Sequence, residues 1–217
     1  MRTRIKVCGI TREEDARVAI EAGADALGFV LVPESPRYYA LERGSPARWC
    51  LPPFVTCVAV CRRVEDLPEP FARDFPVLQF YDLPSNGHLC ADGHTLVYAV
   101  RMQNQERLEA SMEVLDRLAA VRGRCPIRAL VLDTYHPERL GGSGQAFDWD
   151  LAVEVRRRCG LPVILAGGLN PENVGEAVRR VRPYGVDVSS GVEVLPGQKD
   201  PGKIRAFIQA VRQADHI

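Results

Sequence analysis

The sequence predicts an α/β protein, a single (β/α)8 TIM barrel with eight parallel strands and outer helices. Short apolar segments alternate with amphipathic helical segments, the alternation repeats eight times, and 217 residues leave little room for inserted domains. Strands joined through helices run parallel, because each helix returns the chain to the same end of the sheet. We therefore expect residues 1–217 to form one barrel domain. A doubly wound open sheet is the alternative, but no G-x-G-x-x-G motif follows the first strand to favour it.

Each predicted strand is a short apolar run. The eight runs are Ile5–Ile10, Ala26–Leu31, Phe54–Cys61, Val77–Tyr81, Leu96–Val100, Arg128–Thr134, Pro162–Ala166 and Val186–Ser189. Helices are predicted directly after the first strand and over residues 104–121, 148–158, 171–181 and 201–213. The segments after strands 2 and 4 are the weakest, because residues 40–50 contain Gly44 and Pro46 and residues 83–94 are turn-like.

Two helix N-termini carry capping signals. Thr11 is placed to cap the first helix, and three acidic residues follow in its first turn, where they favour the helix dipole. Asn170 precedes Pro171, which is the order typical of a helix N-terminus. Both signals place a helix start just beyond the end of a predicted strand.

Composition and charge restrict the class of partner. The chain has 28 basic and 28 acidic side chains, and a net charge of zero does not favour nucleic acid or an anionic membrane. The longest apolar stretches, 26–33 and 161–166, are far shorter than the roughly 20 residues of a spanning helix. Residues 1–11 alternate charged and apolar side chains and lack the apolar centre of a signal peptide. We therefore expect a cytoplasmic protein, either a monomer or a homodimer, that binds a small molecule.

The seven cysteines are odd in number and irregular in spacing, so we expect reduced thiols. Two fragments, Cys57-x3-Cys61 and His88-x-Cys90-x3-His94, faintly suggest a metal site, but neither has the paired spacing of zinc ligands. We expect no metal. Lysines are few, which leaves little choice for Schiff-base chemistry of the kind an aldolase uses.

Active sites of (β/α)8 barrels lie at the C-terminal ends of the strands, so each strand end is a candidate. Cys8 ends strand 1, and a thiol there can act as base or nucleophile if its pKa is lowered. Lys6 has the same parity and is expected to point inward one layer below. Asp133 ends strand 6, where desolvation raises a carboxyl pKa and suits it to general-acid catalysis. The alternatives are a structural thiol and an Asp that begins a turn.

The loops after the strands add groups that bind anions. Arg37 lies in a proline-stiffened loop and suits a carboxylate or phosphate clamp, with a solvated loop charge as the alternative. The glycine-rich segment 141–144 is suited to cover a substrate or bind an anion. The expected phosphate and substrate contacts after strands 7 and 8 are Gly167, Gly168, Asp187, Ser190 and Gly191. Together these residues predict a barrel enzyme for a phosphorylated small molecule, with a thiol and a carboxylate for proton transfer.

The motifs that carry these residues resemble those of phosphoribosylanthranilate isomerases, and they occur in the same order. They are Lys6–Thr11, Ser35–Tyr38, Leu132–Thr134, Gly141–Gly144 with Phe147–Trp149, Gly167–Val174 and Val186–Glu193. The resemblance implies a (β/α)8 barrel of tryptophan biosynthesis that needs no cofactor. It also implies an Amadori rearrangement of N-(5-phosphoribosyl)anthranilate to the 1-deoxyribulose 5-phosphate isomer.

The same resemblance implies a role for each matched residue. Asp133 would protonate the ribose ring oxygen, and the Cys8 thiolate would remove the proton from C2 of the sugar. Arg37 would hold the anthranilate carboxylate. The amides around Gly167–Gly168 and Ser190–Gly191 would hold the phosphate.

The middle third of the chain differs from the family pattern. Members usually end strand 4 with Gln-Leu-His-Gly, whereas here Phe80, Tyr81 and Asp82 follow Gln79. Strand 3 ends with Cys61-Arg62-Arg63 instead of a Phe-Val-Asn-like segment, and Tyr98 replaces a usual Lys on strand 5. Two alternative functions follow: a phosphosugar isomerase with an altered substrate, and a non-catalytic barrel that binds a phosphorylated ligand.

Overall fold

Eight parallel strands form a closed barrel in which each strand pairs with the next and β8 pairs with β1. The strands are β1 (Arg4–Cys8), β2 (Ala26–Val30), β3 (Thr56–Cys61), β4 (Val77–Phe80), β5 (Thr95–Met102), β6 (Ile127–Thr134), β7 (Val163–Leu165) and β8 (Gly185–Val188). The predicted barrel is confirmed, and the open-sheet alternative is wrong. Each predicted strand is present, with ends that differ by at most two residues.

The computed structural model describes residues 2–49, 51–67, 69–83, 89, 93–102, 106, 109–110, 112–113, 127–134 and 148–216. The predicted loop 141–144, Phe147, His88 and Cys90 lie outside the described residues, as does most of the predicted helix 104–121. Of that helix, the described residues 106, 109–110 and 112–113 are all helical.

The helices are α1 (Glu13–Ala22), α2 (Glu69–Ala72), α3 (Trp149–Arg158), α4 (Val174–Val181) and α5 (Pro201–Asp215). Between β2 and β3 the chain forms two 3-10 turns, Leu41–Arg43 and Pro46–Trp49, in place of an α-helix. Gly44, between them, has a positive φ of 100° that a helix cannot contain. A short antiparallel hairpin of β9 (Glu193–Leu195) and β10 (Gln198–Lys199), which the sequence pattern did not predict, follows β8. Among the described residues no helix is long and apolar enough to cross a membrane.

The predicted cap of α1 is wrong, and the predicted cap near α4 is partly right. The N-cap of α1 is Arg12, and the Thr11 hydroxyl instead donates to the carbonyl of Gly197 at 2.5 Å. Thr11 therefore ties the start of α1 to the β9–β10 hairpin. Asn170 Oδ1 accepts from the N–H groups of Glu172 and Asn173, both at 3.0 Å, although α4 begins only at Val174.

The apolar core has two layers that follow strand alternation. Large side chains, among them Phe29, Phe75 and Phe80, are fully buried in the layer between the barrel strands and the surrounding helices. Inside the barrel the buried side chains are smaller, for example Val58 and Ala129. Small interior residues leave space above them for polar side chains at the C-terminal ends of the strands.

Candidate active site

One pocket at the C-terminal end of the barrel brings the predicted residues together. It is lined by Cys8, Arg37, Asp133, Gly167, Gly168, Asp187 and Ser190. Of the predicted residues only Gly191 is not in the lining, and it packs against the carbonyl of Leu169. Residues far apart in sequence meet here because parallel strands present all their C-terminal ends at one side of the barrel.

Cys8 is the last residue of β1, and its side chain is buried in the barrel mouth. A methyl group added to Gly28 on β2 would lie 2.7 Å from Cys8 Sγ and 3.0 Å from Lys6 Nζ. The thiol and the ammonium therefore share the space that Gly28 leaves open, as strand alternation predicted. Burial raises the pKa of the Cys8 thiol above its ordinary value, and the positive charge of Lys6 opposes the rise without cancelling it. The buried thiol of Cys8 therefore lacks the lowered pKa that would favour a base.

Asp187, in the pocket lining, forms a buried ion pair with Lys6, whose Nζ lies 2.7 Å from Oδ2. Burial is the largest single influence and lowers the pKa of Lys6, but the charges and hydrogen bonds of Asp187 and Cys8 together outweigh it and raise that pKa. Lys6 therefore stays an ammonium, which disfavours Schiff-base chemistry. Among the described residues the other oxygen, Asp187 Oδ1, has no hydrogen-bond partner although it is buried. An unpaired buried carboxylate oxygen is costly, so a hydroxyl or N–H donor of a ligand is favoured there.

Asp133 ends the barrel-facing part of β6, where its carboxyl group is buried. Burial and the nearby charge of Asp187 raise the pKa of Asp133 to about 6, and hydrogen bonds from Tyr81 and the Thr134 N–H limit the rise. The Tyr81 hydroxyl donates to Asp133 Oδ2 at 3.3 Å. The raised carboxyl pKa agrees with the sequence prediction and suits a general acid.

The raised pKa predicts that charge on Asp133 destabilises the fold. The folded value of about 6 exceeds the ordinary 3.8, so the neutral carboxyl is fully stabilising below pH 4, and this stability is lost as pH rises through 6. We expect Asp133→Asn to raise the melting temperature at pH 8 by about 5 °C relative to the original protein. At pH 4 the difference should disappear. Thermal unfolding at both pH values checks this, and a pH-independent difference would contradict it.

Arg37 is buried, so the alternative of a solvated loop charge is wrong. Some of its guanidinium N–H donors already bind another residue of the protein. Its Nε and Nη2 donate to the Glu193 carboxylate at 2.9 and 2.7 Å, and Lys199 Nζ donates to the same group at 2.8 Å. Burial would raise the pKa of Glu193, but the hydrogen bonds of Arg37 and the charge of Lys199 lower it. Glu193 therefore stays ionised on the Nε–Nη2 edge of Arg37. The Nη1–Nη2 edge is the one suited to a ligand anion.

The loops after β7 and β8 are held close together. Gly167 has a φ of +77°, and an added methyl group would lie 2.5 Å from the backbone N of Thr134, so only glycine fits. Asn173 Nδ2 donates to the carbonyl of Gly168 at 2.9 Å and fixes the loop against α4. On the β8 side, Ser190 begins a 3-10 turn. Backbone N–H groups in such a turn and before a helix are donors suited to phosphate.

Gly191 leaves no room for a side chain against the loop after β7, which predicts a large effect of adding one carbon there. Its added methyl group would lie 2.0 Å from the carbonyl oxygen of Leu169. We expect Gly191→Ala to lower the free energy of unfolding by about 1–3 kcal/mol through overpacking. It should also weaken stabilisation by inorganic phosphate in a thermal-shift titration. The matched control is Gly160→Ala, whose added methyl group meets nothing within 4 Å. Equal behaviour of the two variants would contradict the close contact.

Sequence reasoning assigned no role to two polar residues of this site. Tyr81 follows β4 and lines the pocket together with Gln79, so strand alternation was the signal that could have placed it in the barrel mouth. Glu193 was part of a motif, but only the fold shows that it meets Arg37 across 156 residues of sequence. Among the described residues no group of three or more His, Cys, Asp or Glu is placed to hold a metal ion. Cys57 and Cys61 are separate buried thiols.

Comparison with known proteins identifies relatives of this chain. A family model described as N-(5'-phosphoribosyl)anthranilate (PRA) isomerase matches residues 93–210. The chain is 45% identical to the N-(5'-phosphoribosyl)anthranilate isomerase of Pseudomonas putida, over 97% of this chain and 98% of that protein. It matches the phosphoribosylanthranilate isomerase of Thermotoga maritima with a TM-score of 0.79 and 36% identity, over 97% of this chain and 99% of that one.

A further solved structure is a phosphoribosylanthranilate isomerase in complex with reduced 1-(o-carboxyphenylamino)-1-deoxyribulose 5-phosphate. Its TM-score is 0.76 at 34% identity, covering 97% of this chain and 99% of that chain. The likeness thus extends over nearly the whole chain in both sequence and fold, as the motifs indicated. The chain belongs to the N-(5'-phosphoribosyl)anthranilate isomerase family, whose members are isomerases of the aldose–ketose type.

Proposed function

We propose that this protein converts N-(5'-phosphoribosyl)anthranilate to 1-(2-carboxyphenylamino)-1-deoxyribulose 5-phosphate by an Amadori rearrangement. The observation that carries the proposal is the meeting of Cys8 and Asp133 in one pocket, beside the loops after β7 and β8. The family relationship supports the substrate. An acid and a base in one pocket are what the reaction requires, because the ring must open and a proton must leave C2.

Asp133 is the proposed general acid. It gives its proton to the ribose ring oxygen while the nitrogen lone pair forms a C1=N bond, so the C1–O bond breaks and the ring opens. The product is an iminium ion with a free C4 hydroxyl, and Asp133 becomes a carboxylate. The raised carboxyl pKa of about 6 supports this role, because a higher pKa keeps more of the acid protonated near neutral pH.

Cys8 is the proposed general base. Its thiolate takes the proton from C2, and the electron pair forms a C1=C2 bond while the C1=N electrons return to nitrogen, so the iminium becomes a neutral enolamine. Cys8 then releases its proton to solvent, C1 takes a proton from solvent, and the C2 hydroxyl gives its proton to the Asp133 carboxylate. The ketone forms with both residues restored and no net change in protons or electrons. Lys6, which shares the Gly28 space with Cys8, places a positive charge near the thiolate.

Catalysis needs a protonated Asp133 and an ionised Cys8 at the same time. The pKa of Asp133, about 6, is raised but still below neutral pH, so at pH 7 the carboxylate is the major form, while the raised pKa of Cys8 keeps that group a thiol. Transfer of one proton from Cys8 to Asp133 gives the active form. We therefore expect the active form to be a minor population of the free protein, stabilised by Lys6.

The remaining residues are proposed to bind the two ends of the substrate. Arg37 offers its Nη1–Nη2 edge to the anthranilate carboxylate, while Glu193 holds the opposite edge. Amides around Gly167–Gly168 and Ser190–Gly191 hold the phosphate. Asp187 Oδ1, which is buried and unpaired among the described residues, accepts a hydrogen bond from the sugar.

The test is to supply freshly generated N-(5'-phosphoribosyl)anthranilate in D2O and to analyse the product by mass spectrometry and NMR. The proposal predicts the ketone isomer with one solvent deuterium on C1, because C1 receives a proton after C2 has lost one. Decay of the substrate at the rate of a protein-free blank would contradict it. If the reduced product analogue still raised the melting temperature, the result would favour the alternative of a barrel that binds without turnover.

A further inference from the structure

Tyr81 stands in the active-site pocket where the family pattern usually has a histidine. It directly follows β4, its side chain is buried, and its hydroxyl is the donor to Asp133 Oδ2 at 3.3 Å. This distance is long for a bond between two oxygens, but such bonds in ligand-free enzymes commonly shorten on substrate binding. Burial and the nearby Asp133 raise the pKa of Tyr81 well above its ordinary value, so the phenol stays a neutral donor.

Other contacts hold the Tyr81 ring in this place. The guanidinium carbon of Arg101, on β5, lies 5.2 Å from the ring centroid, within the range of a cation–π contact. Arg101 in turn lies 3.5 Å from the carboxylate of Asp82. The backbone N–H groups of Tyr81 and Asp82 both donate to the carbonyl of Arg62, at 3.1 and 2.9 Å. Backbone hydrogen bonds and the Arg101 guanidinium on one face of the ring therefore hold Tyr81 so that its hydroxyl points to Asp133.

We propose that Tyr81 is a positioning residue that orients the carboxyl group of Asp133 for the reaction proposed above. Its hydroxyl holds Oδ2, so the proton to be transferred sits on Oδ1. After the transfer, the same hydrogen bond stabilises the carboxylate that remains. A histidine at this position would titrate near pH 6.5 and change its charge beside the acid, whereas a phenol does not. The inference rests on the proposed function for its role in turnover, but the contact itself can be measured without substrate.

Groups on several strands influence the pKa of Asp133, and the hydrogen bond from Tyr81 is one of these influences. Asp187 on β8 raises the pKa of Asp133, while Lys6 on β1 and the backbone N–H of Thr134 lower it. Cys8 also lines this part of the pocket, and Arg101 lies on the far side of the Tyr81 ring. Tyr81→Phe leaves all of these in place and retains the ring, so it removes one donor only.

The test is the pKa of the Asp133 carboxyl group, measured without substrate from the chemical shift of its carboxyl carbon in 13C NMR spectra. Asp133→Asn is used to assign the signal. We expect Tyr81→Phe to move this titration to higher pH by about one unit, because a hydrogen bond to the charged form is lost. Tyr98→Phe is the matched control. It removes a hydroxyl from neighbouring β5, where Tyr98 packs on Phe80, and should leave the titration unchanged. An Asp133 titration that is the same in Tyr81→Phe and Tyr98→Phe would overturn the inference.

Turnover gives the second readout. In Tyr81→Phe the limb of the pH–rate profile that belongs to Asp133 should move in the same direction, and kcat should fall with little change in KM. A purely structural role would instead lower the melting temperature and leave the profile in place. If the protein did not isomerise the anthranilate compound but the NMR shift were present, the proposed function would fail while the contact stood. If the protein turned the substrate over but Tyr81→Phe left the Asp133 titration unmoved, only the inference about Tyr81 would fail.

Discussion

Replacement of Cys8 by serine should lower the turnover of N-(5'-phosphoribosyl)anthranilate by about 10²–10⁴-fold, the range that a general base contributes. Serine fills nearly the same volume, but its hydroxyl ionises at a much higher pH than a thiol and cannot take a proton from C2. Cys8 is buried on β1, so bulk solvent has little access to act in place of the lost base. Initial rates with purified protein, at matched concentrations, measure the loss.

The control for this substitution is Cys159→Ser. Cys159 is a half-buried thiol at the end of α3, remote from the pocket, and its Sγ donates to the carbonyl of Leu161. A serine hydroxyl can make the same bond, so both turnover and melting temperature should stay close to those of the original protein. If Cys8→Ser retained full turnover, Cys8 would not be the base and the mechanism would need another group at C2.

Replacement of Asp133 by asparagine should cause a loss of similar size, about 10²–10⁴-fold in kcat. The amide keeps the shape of the carboxyl group but has no acidic proton to give to the ring oxygen. Binding should survive, because the phosphate loops and Arg37 are untouched. We therefore expect the reduced product analogue to stabilise Asp133→Asn against heat about as well as it stabilises the original protein.

The control is Asp150→Asn on the outer helix α3, where the carboxylate is exposed and paired with Arg180. An exposed pair of this kind contributes about 0–1 kcal/mol, so the substitution should change little. The comparison also separates activity from stability, since Asp133→Asn is expected to gain stability at pH 8 while it loses turnover. Full turnover by Asp133→Asn would rule out Asp133 as the acid.

Sequence alone predicted the barrel because strand alternation and helix periodicity depend on neighbouring residues. The eight strands were found to within two residues at each end, since apolar runs bounded by Gly, Pro or polar residues are local signals. Features that depend on contacts between distant segments were missed. Thr11 is the clearest case: its cap signal is local, but its hydroxyl bonds to Gly197 across 186 residues of sequence.

The candidate site shows the same division. Cys8 and Asp133 could be placed in the pocket because barrel strands share one C-terminal end. The partners that tune them could not be found this way, because Tyr81 meets Asp133 only through the pairing of β4, β5 and β6. The raised pKa of Cys8 could not be predicted from the sequence either, because burial is a property of the whole fold. Here the effect of burial on that pKa outweighs the opposing charge of the Lys6 ammonium.

The most direct test of the account is one parallel assay of the loss of substrate fluorescence. Freshly generated N-(5'-phosphoribosyl)anthranilate would be mixed with the original protein, Cys8→Ser, Asp133→Asn and Cys159→Ser, each shown to be folded by thermal unfolding. The account predicts rapid loss with the original protein and Cys159→Ser, and near-background rates with the other two. Equal rates for Cys8→Ser and Cys159→Ser, or a folded original protein without turnover, would contradict it.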